Sequence, residues 1–152
     1  MNNNNKILGT ENEFGYEWDN YPEILPVHKN QFENWILPFK IEDFKGKIFL
    51  DAGCGIGRNS FWALKEGAKS CIAFDYDHRT VSVAKKNLQN FKNAKVEYLS
   101  IYDLNMPNTF DIAFSIGVIH HLQNPKKAIE NLFKCLKKDG TLIIWAYAKE
   151  GN

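Results

Sequence analysis

Ile48-Phe49-Leu50-Asp51-Ala52-Gly53-Cys54-Gly55-Ile56-Gly57-Arg58 decides how this chain folds. Ile48, Phe49 and Leu50 form an apolar run, the pattern of a short strand buried on both faces. Asp51 ends the run. Gly53, Gly55 and Gly57 then alternate with small or apolar residues, and a helical pattern opens at about Asn59. A buried strand that passes through glycines into a helix carries bare backbone up to a ligand, with no Cβ in the way. The spacing is G-x-G-x-G, one residue tighter than the G-x-G-x-x-G of dinucleotide-binding folds.

Outward from that stretch, strands and helices alternate. Upstream, Phe32, Trp35, Ile36 and Phe39 fall at i, i+3, i+4 and i+7 of a helix over 27–39, ended by Pro38 and the turn at 43–46. The central strand covers about 47–51. Downstream come a helix over 59–66 stopped by Gly67, a strand over 70–75 and a helix over 78–90 with Val81, Ala84 and Leu88 on one face. Strands follow at about 95–99 and 110–116. A helix over 125–138 has Asn124 as its N-cap and Pro125 in its first position. Its apolar stripe is Ile129, Leu132, Phe133 and Leu136, and Gly140 stops it before a last strand over 141–147. Alternation of this kind implies right-handed crossovers and a parallel sheet covered on both faces. The glycine loop then lies at the carboxyl end of the first strand, where open α/β sheets bind ligands. The chain divides into an N-terminal flap and helix, 1–45, and a core, 46–152.

Composition narrows the class. With 152 residues there is room for one domain and one sizeable core, and 44% hydrophobic against 24% charged residues is ordinary for a globule. A net charge of +1 argues against a nucleic-acid or anionic-membrane partner reached by bulk electrostatics. The lysine pairs 85–86, 126–127 and 137–138 fall on helices and solvate them. Cys54, Cys71 and Cys135 are odd in number and far apart, with no Cys/His metal spacing, which fits a reducing, cytoplasmic setting. The opening MNNNNK has no signal-peptide core, and no apolar run approaches the ~20 residues of a membrane span.

Two further strings complete the pattern: FDIAFSIGVIHHL, residues 110–122, and LKKDGTLIIWAY, residues 136–147. With the glycine loop they resemble the class I S-adenosylmethionine (SAM) dependent methyltransferases of the type 11/12-like group, in which FD-x-V-x-S-x-x-V-L-H-H-L recurs. The resemblance covers about 46–148. It implies a Rossmann-like, doubly wound parallel sheet of order 3-2-1-4-5, SAM as cofactor with S-adenosylhomocysteine as product, and transfer of the sulfonium methyl to an O, N or C nucleophile. A weaker likeness of Phe14–Trp18, FGYEW, to bacterial enzymes of sugar or cell-surface metabolism points to a small-molecule or sugar-type acceptor.

Each candidate residue has a role in this reading. Asp51 opens the loop, and Gly53, Gly55 and Gly57 bring backbone to the methionine half of SAM. Asp75 ends the second strand, 24 residues after Asp51, where a carboxylate accepts from ribose hydroxyls; its alternative is an exposed turn acid. Asp77 reads as an N-cap. Tyr76 offers a flat face to adenine. Tyr102 and Asp103 follow the third strand, and Asp103 suits the adenine amine. The family pattern carries backbone near Ser115 and Ile116 to the amino end of the methionine, whereas Asp111 reads as a fold-supporting acid. A sulfonium is already a good leaving group, so positioning supplies much of the catalysis and a base is needed only for a proton of high pKa. His120, facing the acceptor, and His28 are the candidates. His120 and His121 carry no metal in this reading, since adjacent side chains diverge and no third ligand is spaced to join them; His121 is expected packed or capping.

The family adds two more strands after the fifth, and this chain stops at Asn152. A bare apolar fifth strand is expected to self-associate, or to be covered by a missing C-terminal part. Two other functions share the glycine loop: a nicotinamide or flavin oxidoreductase, which the G-x-G-x-G spacing and the string at 110–122 count against, and a non-catalytic or truncated SAM-binding module.

Overall fold

The computed structural model describes residues 22–148. Five strands form one parallel sheet: β1 (Ile48–Ala52), β2 (Ser70–Asp75), β3 (Ala94–Tyr98), β4 (Phe110–Ile116) and β5 (Leu136–Trp145), in the order β3-β2-β1-β4-β5. Helices α1 (Val27–Trp35), α2 (Arg58–Lys65), α3 (His78–Leu88) and α4 (Pro125–Cys135) cover both faces. This is the Rossmann-like arrangement expected from the alternating pattern. β1 pairs with β2 on one side and β4 on the other, so the chain reverses its direction of winding beside the glycine loop.

The pleat of β1 sorts the core into two layers. Phe49 faces a cluster with Phe32 of α1, Ile36 just after it, Phe44, Ala63, Ala84 and Phe114, all buried. Leu50 and Ala52 face the other cluster, with Phe74, Ala113, Ala128 and Leu132. Phe49 and Phe114 stack at 5.6 Å and 19°, while Phe44 meets Phe49 edge-on at 86°. These aromatic contacts fix α1 and the turn at Ile41–Phe44 to the sheet. Capping follows the sequence: the Asp77 carboxylate accepts from Arg79 and Thr80 N–H, and Asn124 accepts from Lys127 N–H. Asp111 supports the fold by accepting the Ile48 N–H at 2.8 Å and the Lys137 ammonium at 3.0 Å.

Several boundaries differ from the sequence reading. α1 ends at Trp35, not 39, because Ile36–Pro38 turn away. α4 ends at Cys135, and Gly140 does not stop it. Leu136 is already extended, at φ −77° and ψ 144°, and pairs with Phe110. The next ladder pair is Ile112 with Thr141, so the residues between loop out as an irregularity. Gly140 belongs there because a Cβ would stand 3.0 Å from the Lys137 carbonyl. The apolar stripe of α4 is correspondingly rotated. Ala128, Asn131, Leu132 and Cys135 are buried, while Phe133 is 69% exposed. In β5, Thr141–Trp145 are half-buried, and among the described residues β4 is its ladder partner. No helix among the described residues is long and apolar enough to cross a membrane. The flap at 14–18 lies outside the described residues.

Candidate functional site

The glycine loop leaves β1 with all three glycines in the left-handed region: Gly53 at φ +80°, Gly55 at +54° and Gly57 at +81°. Those angles disfavour any residue with a Cβ. Space adds a second constraint at Gly53, where a Cβ would collide with the methyls of Val118. Neighbours hold the loop from three sides. Gly53 and Cys54 both donate to the Phe74 carbonyl at 2.9 Å. Asn87 of α3 donates to the Ile56 carbonyl at 2.9 Å. The Asp75 carboxylate accepts from the Gly55 N–H at 2.9 Å.

Asp75 therefore joins the end of β2 to the loop, a job the sequence did not reveal. Burial raises its pKa, and the Gly55 N–H works in the opposite direction. Asp51 is placed differently. It is 1% exposed, and one carboxylate oxygen accepts from the Ser60 hydroxyl at 2.6 Å. Burial pushes its pKa up to about 7. Asp51 stands behind the loop, in contact with α2 through Ser60. Ser115 is also turned inward: it is 0% exposed and donates to the Ala52 carbonyl at 2.9 Å, locking β4 to the exit of β1.

On the β2–β3 side, Tyr76 is exposed and stacks on Tyr98 at 5.2 Å and 16°, while His78 stacks on Tyr98 at 3.6 Å. Tyr102 and Asp103 share a short turn, Ile101–Asp103, and both are exposed. The Tyr102 hydroxyl accepts from the Asn124 N–H at 3.0 Å. Asn131, buried on α4, donates to the Ile101 and Tyr102 carbonyls at 3.1 Å each and so anchors this turn. Its signal was a lone amide within the buried stripe of α4.

On the β4–β5 side, Gly117 at φ +74° turns the chain after β4, and its N–H donates to the Trp145 carbonyl at 2.9 Å. His120 follows in the turn Ile119–His121. Both of its ring nitrogens are buried and have no hydrogen-bond partner. Burial and the neighbouring His121 lower its pKa, so the ring is neutral at physiological pH. Tyr147 meets the His120 ring edge-on at 5.2 Å, Trp145 meets Tyr147 at 4.7 Å, and Trp35 of α1 lies 5.3 Å from Trp145. The Arg58 guanidinium sits over Trp35 at 5.4 Å. The two histidines do not diverge: their rings lie 3.9 Å apart at 47°, with His121 exposed. His28 uses Nδ1 to accept from the Leu25 N–H at 3.0 Å, and burial and Arg58 lower its pKa. Among the described residues no three His, Cys, Asp or Glu side chains converge on a metal position.

Two surface cavities, of about 510 and 530 Å³, open around Lys137–Gly140 at the amino ends of β4 and β5. Neither touches the glycine loop, so the chemistry rather than the cavity volume locates the site. Tyr76, Tyr102 and Asp103 are exposed beyond the carboxyl ends of β2 and β3, Asp75 and His120 are half-buried, and Asp51 and Ser115 are buried.

Residues 50–144 match the family model described as a methyltransferase domain. The chain is similar to the tRNA U34 carboxymethyltransferase of Helicobacter pylori (strain Shi470), 32% identical over 119 residues, covering 72% of this chain and 44% of that one. It is also similar to the mitochondrial ubiquinone biosynthesis O-methyltransferase of Schizosaccharomyces pombe, 33% identical over 135 residues, covering 85% and 49%. Among solved structures, phosphoethanolamine N-methyltransferase 2 of Haemonchus contortus superposes with a TM-score of 0.70 at 25% identity, covering 89% of this chain and 32% of that one. The chain thus spans less than half the length of these relatives.

Proposed function

The chain belongs to the methyltransferase domain family, and from that premise we propose that it binds SAM over Gly53–Gly57 and moves the sulfonium methyl to a nucleophile on a small molecule. The observation that carries this reading is the 2.9 Å bond from the Gly55 N–H to Asp75. It sets the Asp75 carboxylate and a bare-backbone loop side by side at the point where strand order reverses, which supports a ribose-binding role for Asp75. Tyr76 supplies the stacking face for adenine and Asp103 the acceptor for its amine. Tyr102 positions that turn. Backbone at Ser115 and Ile116 meets the amino end of the methionine. Asp51 orders the loop from beneath. S-adenosylhomocysteine is the product, and the H. contortus neighbour was solved with it.

On the opposite side, His120 is the base when the nucleophile carries a proton, and α1 stands on the acceptor side through Trp35. The reaction runs in the cytoplasm. The acceptor is a small molecule because the net charge is +1, too little for bulk attraction to a polyanion. A second reading, RNA as acceptor, is favoured by the substrate in the name of the H. pylori relative.

The test is transfer of label from methyl-tritiated SAM in the presence of small hydroxyl, amine and carbon acids, and separately of a tRNA pool. Label in a small molecule is expected. Label in tRNA alone would establish the second reading, and label in neither would reduce the chain to a SAM-binding module.

A further inference from the structure

The two cavities at the amino ends of β4 and β5 lie at the opposite pole of the sheet from the glycine loop, and they differ in charge. The cavity of about 530 Å³ has Asp43, Asp111 and Asp139 on its walls to answer Lys47, Lys137 and Lys138, and Asp111 holds the Lys137 ammonium at 3.0 Å. The cavity of about 510 Å³ is lined by Lys134, Lys137 and Lys138 with no carboxylate on its walls. Lys134 and Lys138 form no ion pair among the described residues, even with Glu130 one turn before Lys134 on α4. In a chain whose net charge is +1, this is a local excess of positive charge.

The rest of that lining is largely apolar. Leu104 and Leu136 are buried, Met106 is half-buried, and Phe133 is 69% exposed, so its ring meets water that an apolar ligand would displace. Asn105 and Asn108 add neutral amides. The wall is held in place by the chain itself. The Asn108 and Thr109 N–H groups donate to the Lys134 and Cys135 carbonyls at 3.1 and 2.9 Å, and Asn108 turns at φ +52°, in the left-handed region that asparagine tolerates. Those two carbonyls belong to the negative end of α4. Because both already accept an N–H, the lysine charges rule the electrostatics of the rim.

We propose that the cavity of about 510 Å³ is a second binding site, for an amphipathic anion: a free molecule with one carboxylate or phosphate head on an apolar chain. The head meets the ammonium groups of Lys134 and Lys138. The chain packs against Leu104, Met106 and Leu136 and covers the Phe133 ring. The volume falls within the range of roughly 300–1,000 Å³ of small-molecule sites, and a concave site encloses a single molecule where a flat bilayer face would not enter. A cation is repelled by the three lysines, and a neutral chain gains nothing from them. The lining shares no residue with the glycine loop. The ligand is therefore neither the methyl donor nor the acceptor, and the site stands independently of the SAM reading.

The test titrates the isotope-labelled chain with octanoate, octylammonium, octanol and acetate, all as monomers, and follows the amide resonances by NMR. Octanoate is expected to bind, with shifts centred on residues 104–108 and 133–140. Octanol and acetate, which lack the head or the chain, are expected to bind at least roughly fivefold more weakly, and octylammonium not at all. Phe133→Ser is expected to weaken octanoate roughly tenfold, the effect of removing one apolar side chain from a contact. The double variant Lys134→Gln, Lys138→Gln is expected to weaken it roughly fivefold, the scale of exposed ion pairs. Lys47→Gln, in the neighbouring cavity, is expected to leave binding unchanged. Phe133, Lys134 and Lys138 are exposed, so these variants should keep the wild-type melting temperature, which circular dichroism checks. No binding of octanoate, equal binding of octylammonium or octanol, undiminished binding by Phe133→Ser, or shifts at residues 53–57 in place of the cavity would each overturn the proposal. Capture by phosphatidylglycerol vesicles without binding of monomeric octanoate would also overturn it, in favour of a membrane-facing surface.

Discussion

The two halves of the carboxyl end of the sheet are built on opposite principles. On the β1–β2 side three side chains tie the loop and its helix together: Asp75 holds Gly55, Asp51 holds Ser60, and Asn87 holds Ile56. On the β4–β5 side His120 has no partner for either nitrogen, and the rings of Trp145 and Tyr147 are half-buried or exposed. The first half is preorganised to present backbone in a fixed geometry, so little ordering remains when a ligand arrives. The second half leaves hydrogen-bonding capacity unused within the described residues.

The largest expected effect breaks the preorganised half. Gly53→Val forces a β-branched residue to φ +80° and drives it into Val118. Left-handed backbone alone costs about 1–2 kcal/mol for a residue with a Cβ. SAM binding should fall below detection by calorimetry and the melting temperature should drop; unchanged binding would show that the loop is only a turn.

Next is Asp75→Ala, which removes the acceptor of the Gly55 N–H and, in the proposed reading, of the ribose. An unpaired buried partner costs on the order of 1–3 kcal/mol, so SAM affinity should weaken about tenfold or more. A change below twofold would return Asp75 to the role of a turn acid.

Asn131→Ala sharpens the comparison further from the loop. It leaves the Ile101 and Tyr102 carbonyls without their donor, at a cost of about 1–3 kcal/mol in stability. Chemical denaturation should record that loss, and hydrogen exchange at residues 101–103 should quicken.

The smallest effect is a slope. The folded state holds the Asp51 proton up to about pH 7, against an ordinary value of 3.8. Between those values the folded chain binds more protons than the unfolded one, so the stability contribution of this group falls as pH rises through the window. Asp51→Asn keeps an acceptor for Ser60 and removes the titration. The stability of the variant relative to wild type should therefore rise from pH 5 to pH 8, as read by thermal melts. A difference that stays constant with pH would contradict the burial argument.

Much of this was legible in the sequence, and for identifiable reasons. The run Ile48–Leu50 and the three glycines encode their geometry locally, so the strand and the loop could be placed at once, while the strand order came with the family resemblance. Asp77, Asn124 and Asp111 were also readable, since caps and strand-opening acids act within a few residues or beside a known neighbour. The misplacements have a common cause in tertiary contact. Asp51 was a candidate ligand residue, yet its side chain is turned inward onto Ser60; the Ser115 side chain likewise bonds the Ala52 carbonyl, which leaves its backbone reading untouched. Phe133 read as core because Leu136 was counted in the same helix, but the helix ends one residue earlier. The arc of Trp35, Trp145 and Tyr147 could not be foreseen at all. It joins α1 to the end of β5 across more than a hundred residues of chain, and no local spacing announces such a meeting.

The central claim is that the preorganised half is a SAM site, and titration calorimetry with SAM, S-adenosylhomocysteine and NAD tests it most directly. The account expects micromolar binding of the first two and none of NAD. Binding of NAD without a SAM signal would contradict it.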